Sequence, residues 1–183
     1  SGKTTLAKKL FPNYKYSLLE NPDTRQKAIE DPRRFLEGWE DGLILDEFQN
    51  VPELLSYIQG LVDDKDLTGK IILTGSQHFL MMKNVSQSLA GRTAIVTLLP
   101  FTIEEAKNID QNMSVDRLLY AGFFPRVWDK KLDPNQAYRD YFRTYVQRDL
   151  RDISEVKNIE LFAKFVKLCA GRIGSIFNAS NLS

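Results

Sequence analysis

Short apolar runs alternate with amphipathic segments over the first hundred residues. Residues 43–45 (LIL) and 71–73 (IIL) are unbroken apolar runs that end in polar residues, the pattern of strands buried on both faces of a parallel sheet. The segments YKYSLLE (14–20) and RTAIVTLLPF (92–101) predict two more strands. Residues 52–62 carry apolar side chains at helical spacing. The alternation predicts an α/β fold with a doubly wound parallel sheet and right-handed crossovers.

From residue 101 onwards the chain becomes helical in character. Apolar residues recur at helical spacing in four segments, which are PFTIEEAKNI, VDRLLYAGFFPRVW, NQAYRDYFRTYVQRDLRDI and NIELFAKFVKLCAGRIG. We therefore expect a helical part to follow the sheet core.

The chain opens with SGKTTLAKKL, which reads as the second half of a phosphate-binding loop, GxxxxGK[ST], running into a helix. In that motif the backbone N–H groups surround a phosphate, the lysine reaches the terminal phosphates and the hydroxyl ligates magnesium. Lys3 and Thr4 are candidates for the last two roles. The same residues also fit an ordinary capped surface helix.

Polar side chains follow two of the predicted strands directly. Asp46 and Glu47 come after the strand at 43–45, and Thr74 to Gln77 come after the strand at 71–73. Ligands of such sheets bind off the carboxyl ends of the strands. Asp46 would then hold magnesium, and Glu47 would act as general base on the attacking water. The alternative is that both acids cap the next turn and face solvent.

The residues after the strand at 71–73 also offer polar groups for a nucleotide. Ser76 or Gln77 would contact the γ-phosphate or its water. The alternative is a glycine-containing turn with Ser76 as a helix cap.

Several arginines are candidates for contact with phosphate groups. Arg92 precedes the last predicted strand, where an arginine from a neighbouring subunit would stabilise transition-state charge. It could equally pair with a local carboxylate. The other candidates lie in the helical part, and ordinary helix-surface ion pairs are their alternative role; they are Arg126, Arg143, Arg148 and Arg151.

Composition excludes some classes of partner and site. With 25 Lys and Arg against 24 Asp and Glu, the net charge of +1 gives no global field for nucleic acid or membrane. The single Cys169 in an apolar helical run fits a buried thiol in a reducing compartment. The single His78 argues against a histidine metal cluster. Since the chain has neither a signal peptide nor an apolar run of about 20 residues, we expect a cytoplasmic location and no membrane partner.

Six segments together resemble the prokaryotic AAA+ ATPases that join a P-loop core to a C-terminal domain of unknown function. They are SGKTT, LILDEFQNVPELL, ILTGSQ, LAGRTAIVTLLPFT, GFFPRV and YVQRDLRDI. The resemblance implies a P-loop NTPase core of the AAA+ (ASCE) type that lacks its first strand, then a helical lid and the start of a winged helix. The corresponding domains are residues 1–100, 101–157 and 158–183.

The resemblance also implies cofactors and residue roles. ATP and Mg²⁺ are the cofactors, LILDE is the Walker B strand and ILTGSQ is the sensor strand. Thr4 and Asp46 hold the metal, and Glu47 and Arg92 serve catalysis. The residues implied for nucleotide binding are Gly2, Lys3, Thr4, Thr5, Ser76, Gln77 and Arg148.

The chain departs from the family pattern at both ends. The glycine-rich front of Walker A and the strand before it are missing, and the last residues stop before a recognition helix. We expect a fragment of an ATP-hydrolysing switch or motor that is truncated at both ends. A homo-oligomer and DNA, through the winged-helix segment, are its expected partners besides ATP.

Two other functions remain open at this point. One is a DNA-binding regulatory module with a nucleotide-responsive core, although residues 139–172 carry only eight basic against five acidic residues. The other is an inactive scaffold that binds proteins through an aromatic cluster, although aromatic residues at helical spacing are more often core. The aromatic residues in question are Phe123, Phe124, Trp128, Tyr138, Tyr141, Phe142 and Tyr145.

Overall fold

The structure is a computed structural model that describes residues 2–39, 41–64, 69–75, 89–111, 113–148 and 158–175. The side chains of residues 64, 145–148 and 159 are outside this description. The chain divides into two compact units, residues 1–99 and 100–183.

The first unit alternates helices with short parallel strands. Its elements are α1 (Lys3–Leu10), β1 (Lys15–Leu18), α2 (Pro22–Glu30), α3 (Pro32–Phe35), β2 (Leu43–Asp46), a 3-10 turn (Phe48–Asn50), α4 (Leu54–Asp64) and β3 (Ile71–Leu73). Prolines at the first turns of α2 and α3 follow the side-chain caps Asn21 and Asp31. Proline is tolerated at that position because its missing N–H would have no helical partner there.

The three strands form a parallel sheet in the order β1-β2-β3. Leu18 pairs with Asp46, and Leu45 pairs with Leu73. The ladder continues one residue further, since the Thr74 N–H donates to the Leu45 carbonyl at 2.9 Å. The carboxyl ends of all three strands therefore meet at one edge of the sheet, as the sequence predicted.

The core of the first unit is centred on β2. Leu43, Ile44 and Leu45 are at most 1% exposed, and Phe48 and Leu54 are fully buried beside them. Burial of each such side chain contributes about 1.5–3 kcal/mol. The prediction of a strand buried on both faces is confirmed for β2, but β3 is only half-buried because it pairs with β2 alone among the described strands.

The fourth predicted strand is absent from the described part of the sheet. Residues 93–99 are described, yet they form no strand. Ile95, Val96 and Leu99 are 55%, 87% and 70% exposed. The β-branched residues gave this segment its strand-like pattern. Such propensity depends on packing and pairing, which the segment lacks among the described residues.

The second unit is helical, as predicted. Its described helices are α5 (Ile103–Ile109), α6 (Val115–Ala121), α7 (Pro125–Asp129), α8 (Pro134–Arg148) and α9 (Ile159–Ala170). Thr102 and Glu105 form a reciprocal capping box at the start of α5. None of the helices in the described ranges has the length and apolar character needed to cross a membrane.

Aromatic side chains of the second unit pack against one another. The ring centroids of Phe124 and Tyr141 are 5.1 Å apart, and those of Phe124 and Tyr138 are 5.7 Å apart. The Tyr138 hydroxyl donates to the Ala121 carbonyl at 2.9 Å. Gly122, at φ 63°, lies against Tyr138, so a Cβ atom at this position would clash with the phenol. These contacts agree with the packing alternative for Phe124 and Tyr138, whereas Tyr141 is 50% exposed and the Tyr145 side chain lies outside the described residues.

Candidate functional site

The site begins where α1 starts. Gly2 occupies the N-cap position with φ 84° and ψ 5°, a left-handed conformation that favours glycine. Glycine has no side-chain oxygen to cap the N–H groups of the first turn, which form the usual anion-binding feature of a helix start. Lys3, Thr4 and Thr5 make up that turn, and Lys3 and Thr4 are half-buried.

Asp46 is the centre of the site. It ends β2 and is 3% exposed. The Thr4 and Tyr16 hydroxyls each donate to its Oδ2 at 2.8 Å, and the Thr74 hydroxyl donates to its Oδ1. A residue within β1, the residue after β3 and the first turn of α1 therefore converge on one carboxylate. The alternative in which Asp46 faces solvent is wrong, because the side chain is buried.

Hydrogen bonds decide the charge state of Asp46. Burial alone would raise the pKa of its carboxyl, but the Thr74, Tyr16 and Thr4 hydroxyls and the Glu47 backbone N–H favour the charged form. Together they lower the pKa of Asp46 below its ordinary value. The carboxylate is therefore ionised at neutral pH, the form that a metal ligand requires.

The pKa of Tyr16 shifts in the opposite direction from that of Asp46. Burial raises the pKa of its hydroxyl, and the hydrogen bond to Asp46 and the neighbouring negative charges raise it further. Tyr16 therefore stays protonated and remains a hydrogen-bond donor at neutral pH.

Glu47 has an unusual backbone conformation directly after β2. Its φ of 52° and ψ of 46° are left-handed, which costs a non-glycine residue about 1–2 kcal/mol. The Gln49 side-chain amide donates to its Oε2, and the Asn50 side-chain amide donates to its carbonyl at 2.8 Å. Strained backbone of this kind is concentrated at functional sites. The chain leaves the extended backbone of β2 at Glu47, the residue directly after Asp46.

Arg92 pairs with a local carboxylate, the alternative that the sequence left open. Its Nε lies 2.5 Å from Asp63 Oδ1, and its Nη1 donates to the Ala90 carbonyl at 3.2 Å. Both side chains of the ion pair are about two-fifths exposed. The role of Arg92 toward a neighbouring subunit stays a prediction.

The remaining predicted residues fall outside the site as described. Ser76, Gln77, Arg151 and His78 lie outside the described residues. Arg148 ends α8, and its side chain lies outside the description. Arg126 and Arg143 are exposed in the second unit, and Cys169 is a half-buried free thiol rather than a fully buried one.

Sequence reasoning missed Tyr16 as a site residue and noted Thr74 only as part of a polar cluster. Both donate to Asp46. Tyr16 lies within a strand, two residues before the position that pairs with Asp46. A hydroxyl-bearing residue on the strand next to an acidic strand end was the available signal, but the sequence does not show which strands are neighbours.

Residues 1–107, more than half of the 183-residue chain, match the family model described as AAA domain. The chain belongs to this AAA domain family. Its AAA domain includes every residue of the site built around Asp46. Residues 112–183 match a domain of unknown function, DUF8612. The predicted order, an AAA-type core followed by a domain of unknown function, is confirmed.

Two curated relatives of this chain are uncharacterized proteins of Mycobacterium bovis and Mycobacterium tuberculosis. Each is 27% identical over an alignment of 188 positions that covers 100% of this chain. The chain spans 41% of the length of each relative. No solved structure matches the chain.

Proposed function

We propose that the AAA domain binds ATP with Mg²⁺ and hydrolyses it, as the nucleotide-driven part of a switch or motor. The contact between Thr4 and Asp46 carries this proposal. The two residues are 42 positions apart, and the Thr4 hydroxyl lies 2.8 Å from Asp46 Oδ2. A hydroxyl directly after the loop lysine and an acid at the end of a neighbouring buried strand are the two protein groups that hold magnesium in P-loop NTPases.

The donor chemistry at this point fits Mg²⁺. The ion prefers oxygen ligands and is usually held by one or two carboxylates while it keeps several waters. Asp46 supplies an ionised carboxylate, and Thr4 supplies a hydroxyl oxygen beside it. When bound, the metal would neutralise charge on the phosphates.

The first turn of α1 supports nucleotide binding. Gly2 allows the backbone to approach the phosphates, and the N–H groups of Lys3 to Thr5 would donate to them. The Lys3 ammonium would contact the terminal phosphates. Ser76, Gln77 and Arg148 complete the proposed nucleotide-binding set.

For hydrolysis, Glu47 would act as general base on the attacking water. Its carboxylate directly follows the proposed metal-binding acid in the chain, at a residue with left-handed backbone. General-base catalysis contributes typically about 10²- to 10⁴-fold. Arg92 would act as an arginine finger only in an assembly, since within the chain it pairs with Asp63.

Calorimetry of ATP binding by the full-length protein, with and without Mg²⁺, tests the proposal. We expect Lys3→Ala to abolish measurable binding and Asp46→Asn to remove its dependence on Mg²⁺. Glu47→Gln should bind ATP like the wild type but hydrolyse it at least about 100-fold more slowly. Lys9→Ala, which removes an exposed lysine from the last turn of α1, is the matched control.

Two results would contradict the proposal. If wild type and Lys3→Ala bind ATP equally, the start of α1 is not the phosphate site. If Glu47→Gln keeps the wild-type hydrolysis rate, Glu47 is not the base.

A further inference from the structure

Tyr16 makes a contact that the proposed roles do not use. It lies in β1 opposite Ile44 of β2, and its hydroxyl reaches Asp46 Oδ2 at 2.8 Å. The Thr4 hydroxyl donates to the same oxygen, whereas Thr74 donates to the other. Asp46 therefore has a hydroxyl donor from each neighbouring strand and one from α1.

We infer that Tyr16 is a positioning residue that orients the Asp46 carboxylate for a divalent cation. This inference rests on the proposed function. Thr4 has two duties in that proposal, because its hydroxyl oxygen also ligates the metal. The Tyr16 hydroxyl does not ligate the metal in the proposal. It is therefore the donor that keeps Asp46 Oδ2 oriented when the Thr4 hydroxyl binds the metal. Donors of this kind fix the direction of a ligand and tune its affinity for the ion.

The ring of Tyr16 is itself held in place. The Lys8 ammonium of α1 lies 3.4 Å from the ring centroid. A cation over the face of an aromatic ring is attracted to it electrostatically. Tyr16 thus lies between the helix that starts with Lys3 and Thr4 and the strand that ends with Asp46.

A purely structural role for the same hydroxyl would have a different signature. It would lower the stability of the fold and change metal and nucleotide binding together. A positioning role changes metal affinity while nucleotide affinity without metal stays constant. The test therefore has to measure the two affinities separately.

The experiment compares Tyr16→Phe with Tyr14→Phe in the full-length protein. Tyr14 is the matched control, since its hydroxyl donates to the Gly69 carbonyl at 3.0 Å, outside the Asp46 cluster. Mn²⁺ is the metal probe. Since ATP itself binds Mn²⁺, binding by the protein is measured as the further loss of the electron paramagnetic resonance signal of free Mn²⁺ relative to the same concentrations of Mn²⁺ and ATP without protein. ATP binding in EDTA is measured by competition with a fluorescent ATP analogue, and melting is measured by circular dichroism.

For Tyr16→Phe we expect Mn²⁺ affinity to fall by about 10-fold or more, the usual effect of losing such a donor. ATP affinity in EDTA should stay within about twofold of wild type, a change small beside the metal effect. Tyr14→Phe should match wild type in both. Equal Mn²⁺ affinity of the two variants overturns the inference, as does an equal loss of both affinities in Tyr16→Phe.

Failure of the proposed function looks different. If the wild type binds no Mn²⁺ with ATP and no ATP in EDTA, the nucleotide site is refuted, and the inference falls with it. Should Tyr16→Phe fail to fold, Lys8→Gln serves instead, because it keeps the hydroxyl but releases the ring. Its Mn²⁺ affinity should fall about two- to fivefold, and an unchanged value overturns the inference.

Discussion

Replacement of Thr74 by valine tests how strongly the hydroxyl cluster stabilises the sheet. Thr74 is 8% exposed and Asp46 is 3% exposed, so valine removes one donor from a buried carboxylate while keeping a similar shape. Loss of a hydrogen bond to a charged group costs about 1.5–3 kcal/mol. Because the acceptor is buried, water does not replace the donor cheaply.

Amide hydrogen exchange of β2 and β3 at pH 7, followed by mass spectrometry, measures this loss locally in the full-length protein. If the free energy of local opening of the sheet falls by about 1.5–3 kcal/mol, the amides of β2 and β3 exchange about 10- to 150-fold faster. Thr74→Ser keeps the donor and loses one methyl group, so its exchange should accelerate by less than about fivefold. The reasoning would be refuted if the amides of β2 and β3 exchanged in Thr74→Val at a rate within about twofold of wild type, or at the same rate in Thr74→Val and Thr74→Ser.

Two further predictions concern acid and a tight turn. The pKa of Asp46 is lower in the folded chain than in the unfolded chain, where it is about 3.9. The ionised carboxylate therefore stabilises the fold fully above that pH, and this stabilisation is lost as the pH falls through the pKa of the folded state. Acid titration of β2 exchange in the wild type should therefore show a step below about pH 4 that Asp46→Asn lacks, and the same step in both would contradict the assignment. In the second unit, Gly122→Ala places a methyl group against Tyr138 at a positive φ. The free energy of unfolding of that unit, measured by differential scanning calorimetry, should therefore fall by about 1–3 kcal/mol. An unchanged melting temperature would contradict the clash.

The alternation of apolar runs and helical segments was enough to predict β1, β2 and β3 and their parallel arrangement. β2 was the clearest case, because three consecutive apolar residues directly before two acids are typical of a strand buried on both faces. Residues 93–99 have the same kind of local pattern but form no strand. Strand formation requires a hydrogen-bonded neighbour, and no local pattern records whether one is present.

The candidate site was predictable only in part for a similar reason. Motif spacing indicated Lys3, Thr4, Asp46 and Glu47, and the structure brings Thr4 and Asp46 into contact. The donation from Tyr16 depends on strand order and register, which a single sequence does not specify. The pairing of Arg92 with Asp63 depends on a contact across 29 positions, so the sequence left it as one of two options.

The uncovered segment 93–99 has a practical meaning for work with this protein. It contains isoleucine, valine and leucine but no charged residue and no proline, and three of its apolar side chains are more than half exposed. Exposed segments that are rich in β-branched and apolar residues and carry no charge or proline favour pairing between molecules. We therefore expect the protein to self-associate more as its concentration rises wherever this segment stays uncovered. Low protein concentration and light scattering alongside each titration are therefore part of a sound assay.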